Sequence, residues 1–263
     1  AREAETYCRR ATELRAYFNE VWSTPPQEDG CGYVFGVGFH GEKYWQWKKS
    51  ARGITGAETC FFMPLKLLTE PGERNDRLLD YIDHMDEDSR TASENIESFT
   101  YLPQVFFPYH RAEQGWKWMK YIGERRFRPH VRASQGLNED YPELSFTMVS
   151  AAVEGLLGLQ ADILTDMVKT CPCLPGEIPD LSVRSLRLGP LELDIDFPDH
   201  CTAELANHSN RTIRWHCAFA GVFKQIVVNG VERPVESDTV NGVRRSGVSI
   251  AVAPGETMRV RVQ

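Results

Sequence analysis

The sequence predicts an α+β protein of two parts, a helical domain over residues 1–178 and a small antiparallel β-sandwich over 179–263. Three observations carry this. Apolar residues recur at three- and four-residue steps through the first two-thirds, as they do in helices that bury one face. From about Pro179 the period changes to two, in "LELDIDF", "TIRWHCAFAG", "KQIVVNGVERPV" and "VSIAVAPGETMRVRV". Inside that last third, Asn229-Gly230 stands between two β-rich runs, a strong signal for a two-residue hairpin. "KTCPCLPGEIPD" reads as the linker between the parts.

The elements follow in order. Tyr7, Ala11, Leu14, Phe18, Val21 and Trp22 mark a one-sided helix that ends at "STPP". The Gly- and aromatic-rich segment "DGCGYVFGVGFHGEKYWQWKKSARGITG" has no helical period, and its "VFGVGF" and "KYWQW" halves are predicted to pair as a hairpin around His40-Gly41. "GAETCFFMPLKLL" and "RNDRLLDYIDHM" are two more helices, the second amphipathic through Leu78, Ile82 and Met85. "NIESFTYLPQVFFPYHRAEQGWKWMKYI" is apolar on most sides, with Pro103 near its start and Pro108 placed to bend it. In the last helix Leu144, Phe146, Met148, Val149, Val153, Leu156 and Leu157 cover every face, which predicts burial among other helices. Gly155 and Gly158 would let neighbouring backbones come close, and Gly158 would equally serve to end the helix.

Composition narrows the function. The 263 residues carry a formal charge of −7, with basic residues scattered, so no footprint for nucleic acid is present. No apolar run approaches the ~20 residues needed to cross a bilayer. The chain shows no signal peptide and no initiator Met, and it opens in mid-helix character, which suggests a processed or excised piece of something longer. Seven dispersed cysteines, an odd number, suggest free thiols in a reducing compartment, hence a cytoplasmic lean. "CPC" has the wrong spacing for a redox pair or a zinc knuckle. With no nucleotide loop, zinc signature or nucleophile elbow, neither cofactor nor metal is expected.

Acids gather at helix starts. Thr55…Glu58, Thr91…Glu94 and Asp140…Glu143 each have the capping-box spacing, so capping is the ordinary explanation for each Glu alone. The functional alternative comes from their company. Glu58, Glu94, Glu97, Glu139, Asp140 and Glu143 all precede apolar helices, and Tyr44, Trp45, Trp47 and Tyr101 lie in or beside the same loops. If the helices are inner, parallel members of a bundle, these carboxylates flank one cleft beside aromatic faces suited to a sugar ring. A protonated acid and an ionised one are the equipment of glycosidic-bond hydrolysis. Glu97 has Glu94, not a capping residue, three positions before it, so it ranks first as general acid. Glu58 and Glu143 are candidates to activate water or hold hydroxyls, Trp45, Trp47 and Tyr101 to form the platform, and Glu94 and Asp140 to bind substrate. Trp116 and Trp118 read as packing residues.

"IESFTYLPQVFFPYHRAEQGWKWM", then "YPELSFTMVSAAVEGLLGLQAD", then a β-rich tail with a "VNG" hairpin, resembles the C-terminal part of the six-hairpin glycosidases. These have an (α/α)6 toroid and include the α-L-rhamnosidase-like families and related bacterial glycoside hydrolases. The resemblance runs from about Gly53 onward. It implies a partial (α/α) toroid followed by the β-sandwich, a carbohydrate substrate, and an active site where the inner helices begin. There paired carboxylates act, commonly with inversion. Glu97 before "TYLP", Glu143 in "YPELS" and Glu58 occupy such starts. The chain holds far fewer helices than a full toroid. The rest is therefore expected from another segment, another chain or a second copy, covering the apolar helices at 99–122 and 143–157. The alternative function is a non-catalytic carbohydrate-binding or assembly protein of the same fold.

Overall fold

A computed structural model describes residues 2–24, 32–34, 36–37, 40–44, 48–50, 53–55, 57–84, 96–131 and 133–263. It is α+β, with two antiparallel-rich sheets beside the helices, and it divides into two compact units. The first comprises Ala1–Phe106 with Lys120–Ser145, the second Phe107–Met119 with Phe146–Gln263. This division differs from the one at 178/179 that the change of period suggests. Residues 107–119 and 146–178 group with the strands because their apolar side chains enter the sandwich core.

In the first unit, α1 (Arg2–Val21) ends against a polar knot. The buried Asn19 donates to Leu68 O at 2.7 Å and accepts from the Tyr33 hydroxyl and the Glu70 N–H, both at 2.9 Å. Phe18 stacks on Tyr33. Of the rest of the predicted apolar stripe, Tyr7, Ala11, Leu14 and Val21 are exposed and Trp22 is half-buried. The strands β1 (Gly36–Val37) and β2 (Lys43–Tyr44) form the hairpin expected around His40-Gly41, and β3 (Lys48–Ser50) pairs with β4 (Gly53–Thr55). Helix α2 (Ala57–Leu65) packs on α3 (Glu73–Asp83) and α4 (Leu102–Phe106). Amphipathic α3 buries Leu78, Leu79 and Ile82 completely.

The long helix expected over 99–122 is broken. After α4 a single 3-10 turn spans Phe107–Tyr109, and His110 takes a left-handed φ of 56° before α5 (Ala112–Arg125) begins. Pro108 in that turn lacks the N–H that a continuous helix needs. Helix α6 (Pro142–Ser150) continues as a π-helical stretch, Ala151–Leu156, with Leu157 N–H bonding Ala152 O five residues back. The expectation that this helix is buried on every side fails. Leu144, Ala151, Leu156 and Leu157 are buried, while Phe146 and Val149 are 57% and 64% exposed.

The second unit is built on two sheets. One has the order β13–β14–β10–β6–β5, from β5 (Gln160–Asp162), β6 (Met167–Thr170), β10 (Ile213–Ala220), β13 (Glu236–Val240) and β14 (Val243–Val252). The other has the order β12–β11–β15–β9–β8–β7, from β7 (Leu181–Leu188), β8 (Leu191–Asp199), β9 (Thr202–Asn207), β11 (Ile226–Val228), β12 (Val231–Arg233) and β15 (Thr257–Val262). Strict alternation directs Leu191, Leu193, Ile195 and Phe197 of β8, and Ile213, Trp215, Cys217 and Phe219 of β10, into the core. All pairings are antiparallel except β6 with β10, which run parallel with Arg214 beside Met167. That strand pair departs from the fully antiparallel sandwich expected. Asn229-Gly230 forms the turn between β11 and β12, and a second Asn-Gly at 241–242 joins β13 to β14.

The glycines near α6 act by giving room. The Phe107 ring sits where a Cβ on Gly155 would come within 2.3 Å of it, and one on Gly115 within 2.7 Å. Gly158 ends the helical stretch at φ +59 with the Cys171 carbonyl so close that only a glycine fits. Gly158 thus fills both roles expected of it, backbone approach and helix end, whereas Gly155 makes room for a side chain instead of a backbone.

Candidate functional site

Two of the candidate acids, Glu97 and Glu143, are each engaged by a residue of one loop in the first unit. Glu97 lies in a single 3-10 turn, Ile96–Ser98, anchored by the buried Ile96 and Phe99. Phe99 packs against Tyr121 near the end of α5 at 5.0 Å. From there the chain runs 126–141 as a closed loop. His130 N–H bonds Gly136 O, Asn138 N–H bonds Arg128 O and Glu139 N–H bonds Arg126 O, each at 2.9 Å, and the Asn138 side chain donates to Arg125 O.

This loop brings His130 to Glu97. Nε2 of the imidazole is 3.8 Å from Glu97 Oε1, with the His130 side chain fully buried and that of Glu97 20% exposed. The separation is too long for a hydrogen bond and within reach of an ion pair. The His130 ring lies 5.7 Å from that of Tyr141. The Tyr141 hydroxyl donates to Glu143 Oε2, at the start of α6. Glu97 and Glu143, remote in sequence, are thus linked through two rings.

The other candidates divide. Asp140 does not cap α6 in the forward direction; its Oδ2 accepts the Leu137 N–H at 2.8 Å, closing the short turn Asn138–Asp140 that precedes the helix. Tyr101 is half-buried against Phe61 and Phe62, at 6.4 and 5.6 Å between ring centres. Glu58 stands in the first turn of α2. Trp45, Trp47 and Glu94 lie outside the described residues. Trp118 is buried, and Trp116 donates its indole N–H to Glu177 at 2.9 Å. His130 and Tyr141 were not singled out from sequence. Tyr141 adjoins the acids of "NEDYPE", but His130 stands in a loop with no period or motif to mark it.

Two shallow grooves open on the second unit, one lined by Thr165, Asp166, Arg214 and Ser249, the other by Glu154, Gln160 and Leu188; neither includes Glu97 or Glu143. Among the described residues no cluster of His, Cys, Asp and Glu is disposed to hold a metal, and no helix is long and apolar enough to cross a membrane.

No family model matches the chain, and no curated protein matches it. Solved structures do. The fold is similar to that of the α-L-rhamnosidase from Dictyoglumus thermophilum, with a TM-score of 0.51 at 12% identity over 81% of this chain. It is a glycosidase-like fold. This chain spans 27% of the rhamnosidase's length. A human-microbiome protein assigned as a kojibiose phosphorylase matches at TM-score 0.41 and 11% identity, covering 75% of this chain and 24% of that one. The GH127 β-L-arabinofuranosidase of Geobacillus stearothermophilus T6 matches at 0.27 and 7%, covering 72% and 31%. These last two superpose too loosely to carry an argument.

Proposed function

We propose that this chain is the C-terminal portion of an (α/α)-toroid glycosidase with its β-sandwich, and that the assembled protein hydrolyses an O-glycosidic bond with inversion. The observation that supports this best is the chain of contacts from Glu97 through His130 and Tyr141 to Glu143, in a chain whose fold is like that of a rhamnosidase. Glu97 is the general acid. It sits partly dry, gives its proton to the glycosidic oxygen as the bond to the anomeric carbon breaks, and is left as a carboxylate. Glu143, ionised and held by the Tyr141 hydroxyl, takes a proton from the water that attacks the anomeric carbon from the opposite face. Glu58, Glu94 and Asp140 serve substrate hydroxyls, and Trp45, Trp47 and Tyr101 form the stacking platform. The rest of the toroid comes from another segment, another chain or a second copy.

The test is turnover of a panel of aryl glycosides by the native full-length protein and its Glu97→Gln variant, with thermal melts alongside. Glu97→Gln is expected to lose ~10²-fold or more in kcat while its melting temperature holds. Proton NMR of the first-formed sugar reports inversion. Full activity in Glu97→Gln removes the acid assignment.

A carbohydrate-binding protein without turnover is the second reading. The bonds that Asp140 and Glu143 accept from the Leu137 N–H and the Tyr141 hydroxyl favour it, since both carboxylates are engaged within their own stretch of chain. Tight binding of an oligosaccharide with no hydrolysis by the native protein selects that reading.

A further inference from the structure

Glu97 and Glu143 are approached by two rings from a single loop. That loop is closed across its base by the Asn138 N–H on Arg128 O and the Asn138 side chain on Arg125 O, and across its tip by the His130 N–H on Gly136 O. Its imidazole is fully buried 3.8 Å from Glu97 Oε1, its phenol donates to Glu143 Oε2, and the rings lie 5.7 Å apart, tilted by 41°. Resting on the reading that Glu97 and Glu143 are the catalytic pair, we propose that His130 and Tyr141 are positioning residues. They form a two-ring brace that fixes the orientation of each carboxyl group and holds the groups apart.

The physical need is plain. A glutamate side chain turns about three bonds, and an inverting pair must leave room for a water between its carboxyl groups. Direct contact between them would close that room. Rings locked by packing prevent this at little entropic cost, because each has only two torsions to fix. At 3.8 Å the imidazole steers Glu97 without a short hydrogen bond, while the phenol O–H sets the plane of the Glu143 carboxylate. Small misplacements in such a site cost ~10²-fold in rate. The bland rival is a histidine buried for packing, beside a tyrosine that caps a helix.

The experiment compares His130→Leu, His130→Gln and Tyr141→Phe in the native full-length protein, by kcat and KM on a glycoside that the wild type turns over and by crystal structures. The brace requires His130→Leu and Tyr141→Phe to lower kcat per folded molecule by ~10- to 100-fold with KM within about threefold. His130→Gln, whose amide nitrogen falls near the place of Nε2, restores most of the rate. In the crystals, Glu97 turns to a new rotamer in His130→Leu and Glu143 does so in Tyr141→Phe. Should His130→Leu fail to fold, Tyr141→Phe, which removes one oxygen, carries the test. Unchanged carboxyl orientations, or an unchanged kcat in a protein that Glu97→Gln silences, overturn the brace and leave the hydrolase reading standing. Carboxyl groups that swing in a protein with no turnover on any glycoside uphold the brace and overturn the hydrolase reading.

Discussion

Burial in the second unit lowers the affinity of two histidines for protons. For His110 the loss of water is reinforced by the Arg245 charge; for His216 it outweighs the opposing Glu236 and Asp238. Both hold their protons less tightly when folded than when unfolded, so below the unfolded value of ~6.5 the unfolded chain binds more protons. Stability is therefore complete above about pH 6.5 and falls as the pH drops below it. Asp162, Asp194 and Asp238 are shifted down, chiefly by hydrogen bonds from Thr165, the Ser185 N–H and Arg245, and they act in a lower window, below about pH 4. The melting temperature is expected to rise between pH 5 and pH 7.5. His110→Asn should flatten part of that slope, since asparagine tolerates the left-handed backbone at this position. An equal slope in the variant would assign the effect elsewhere. Other single residues show how far the pattern could be read. Glu97 stood out because Glu94, three positions before it, is no capping residue. Asp140 closes its own short turn, Asn138–Asp140, rather than capping α6, because its carboxylate is captured by the Leu137 N–H. His130 was invisible for a physical reason. Its place is set by the closure of a loop, and loop closure leaves no period.

At the scale of elements, periodicity located helices and strands better than it described their interruptions. Pro108 signalled a bend, and the chain answered with a 3-10 turn and a left-handed residue that separate α4 from α5. The widened turn at Ala151–Leu156 has no sequence signature, and a close side-chain approach accompanies it. Phe107 occupies the space against Gly155, and Gly115 faces the same ring from α5. Gly155→Ala is accordingly expected to destabilise the fold by about 2–3 kcal/mol, from overpacking against a buried aromatic ring. Denaturant titration measures it, and Phe107→Leu in the same background should recover a good part. The parallel pairing of β6 with β10 was equally unreadable. Period two declares a strand but not its direction, and four residues beside a Pro-rich linker resemble a loop. The Trp215 indole, bonded to Thr170 Oγ1 at 2.9 Å, shows that β6 is part of the core and no appendage.

For the molecule as a whole, the position of the division matters most. A fragment of residues 179–263 contains the period-two strands but omits β6, and with it Val168, Thr170, Leu174 and Phe107 from around Trp215 and its neighbours. Its β10 would have a bare edge and an open core, conditions that favour aggregation. We expect this fragment to bind hydrophobic dyes and melt without a sharp transition, and residues 107–263 to unfold cooperatively. A cooperative melt of 179–263 would restore the boundary suggested by the change of period. The units exchange the chain three times, after Phe106, Met119 and Ser145. On the ribosome, residues 107–119 therefore emerge long before the strands they serve and must wait, apolar and uncommitted, while the rest of the chain is made. Nor can the sandwich pass between genes without carrying residues 120–145 of the other unit, because part of its interior is encoded ahead of them.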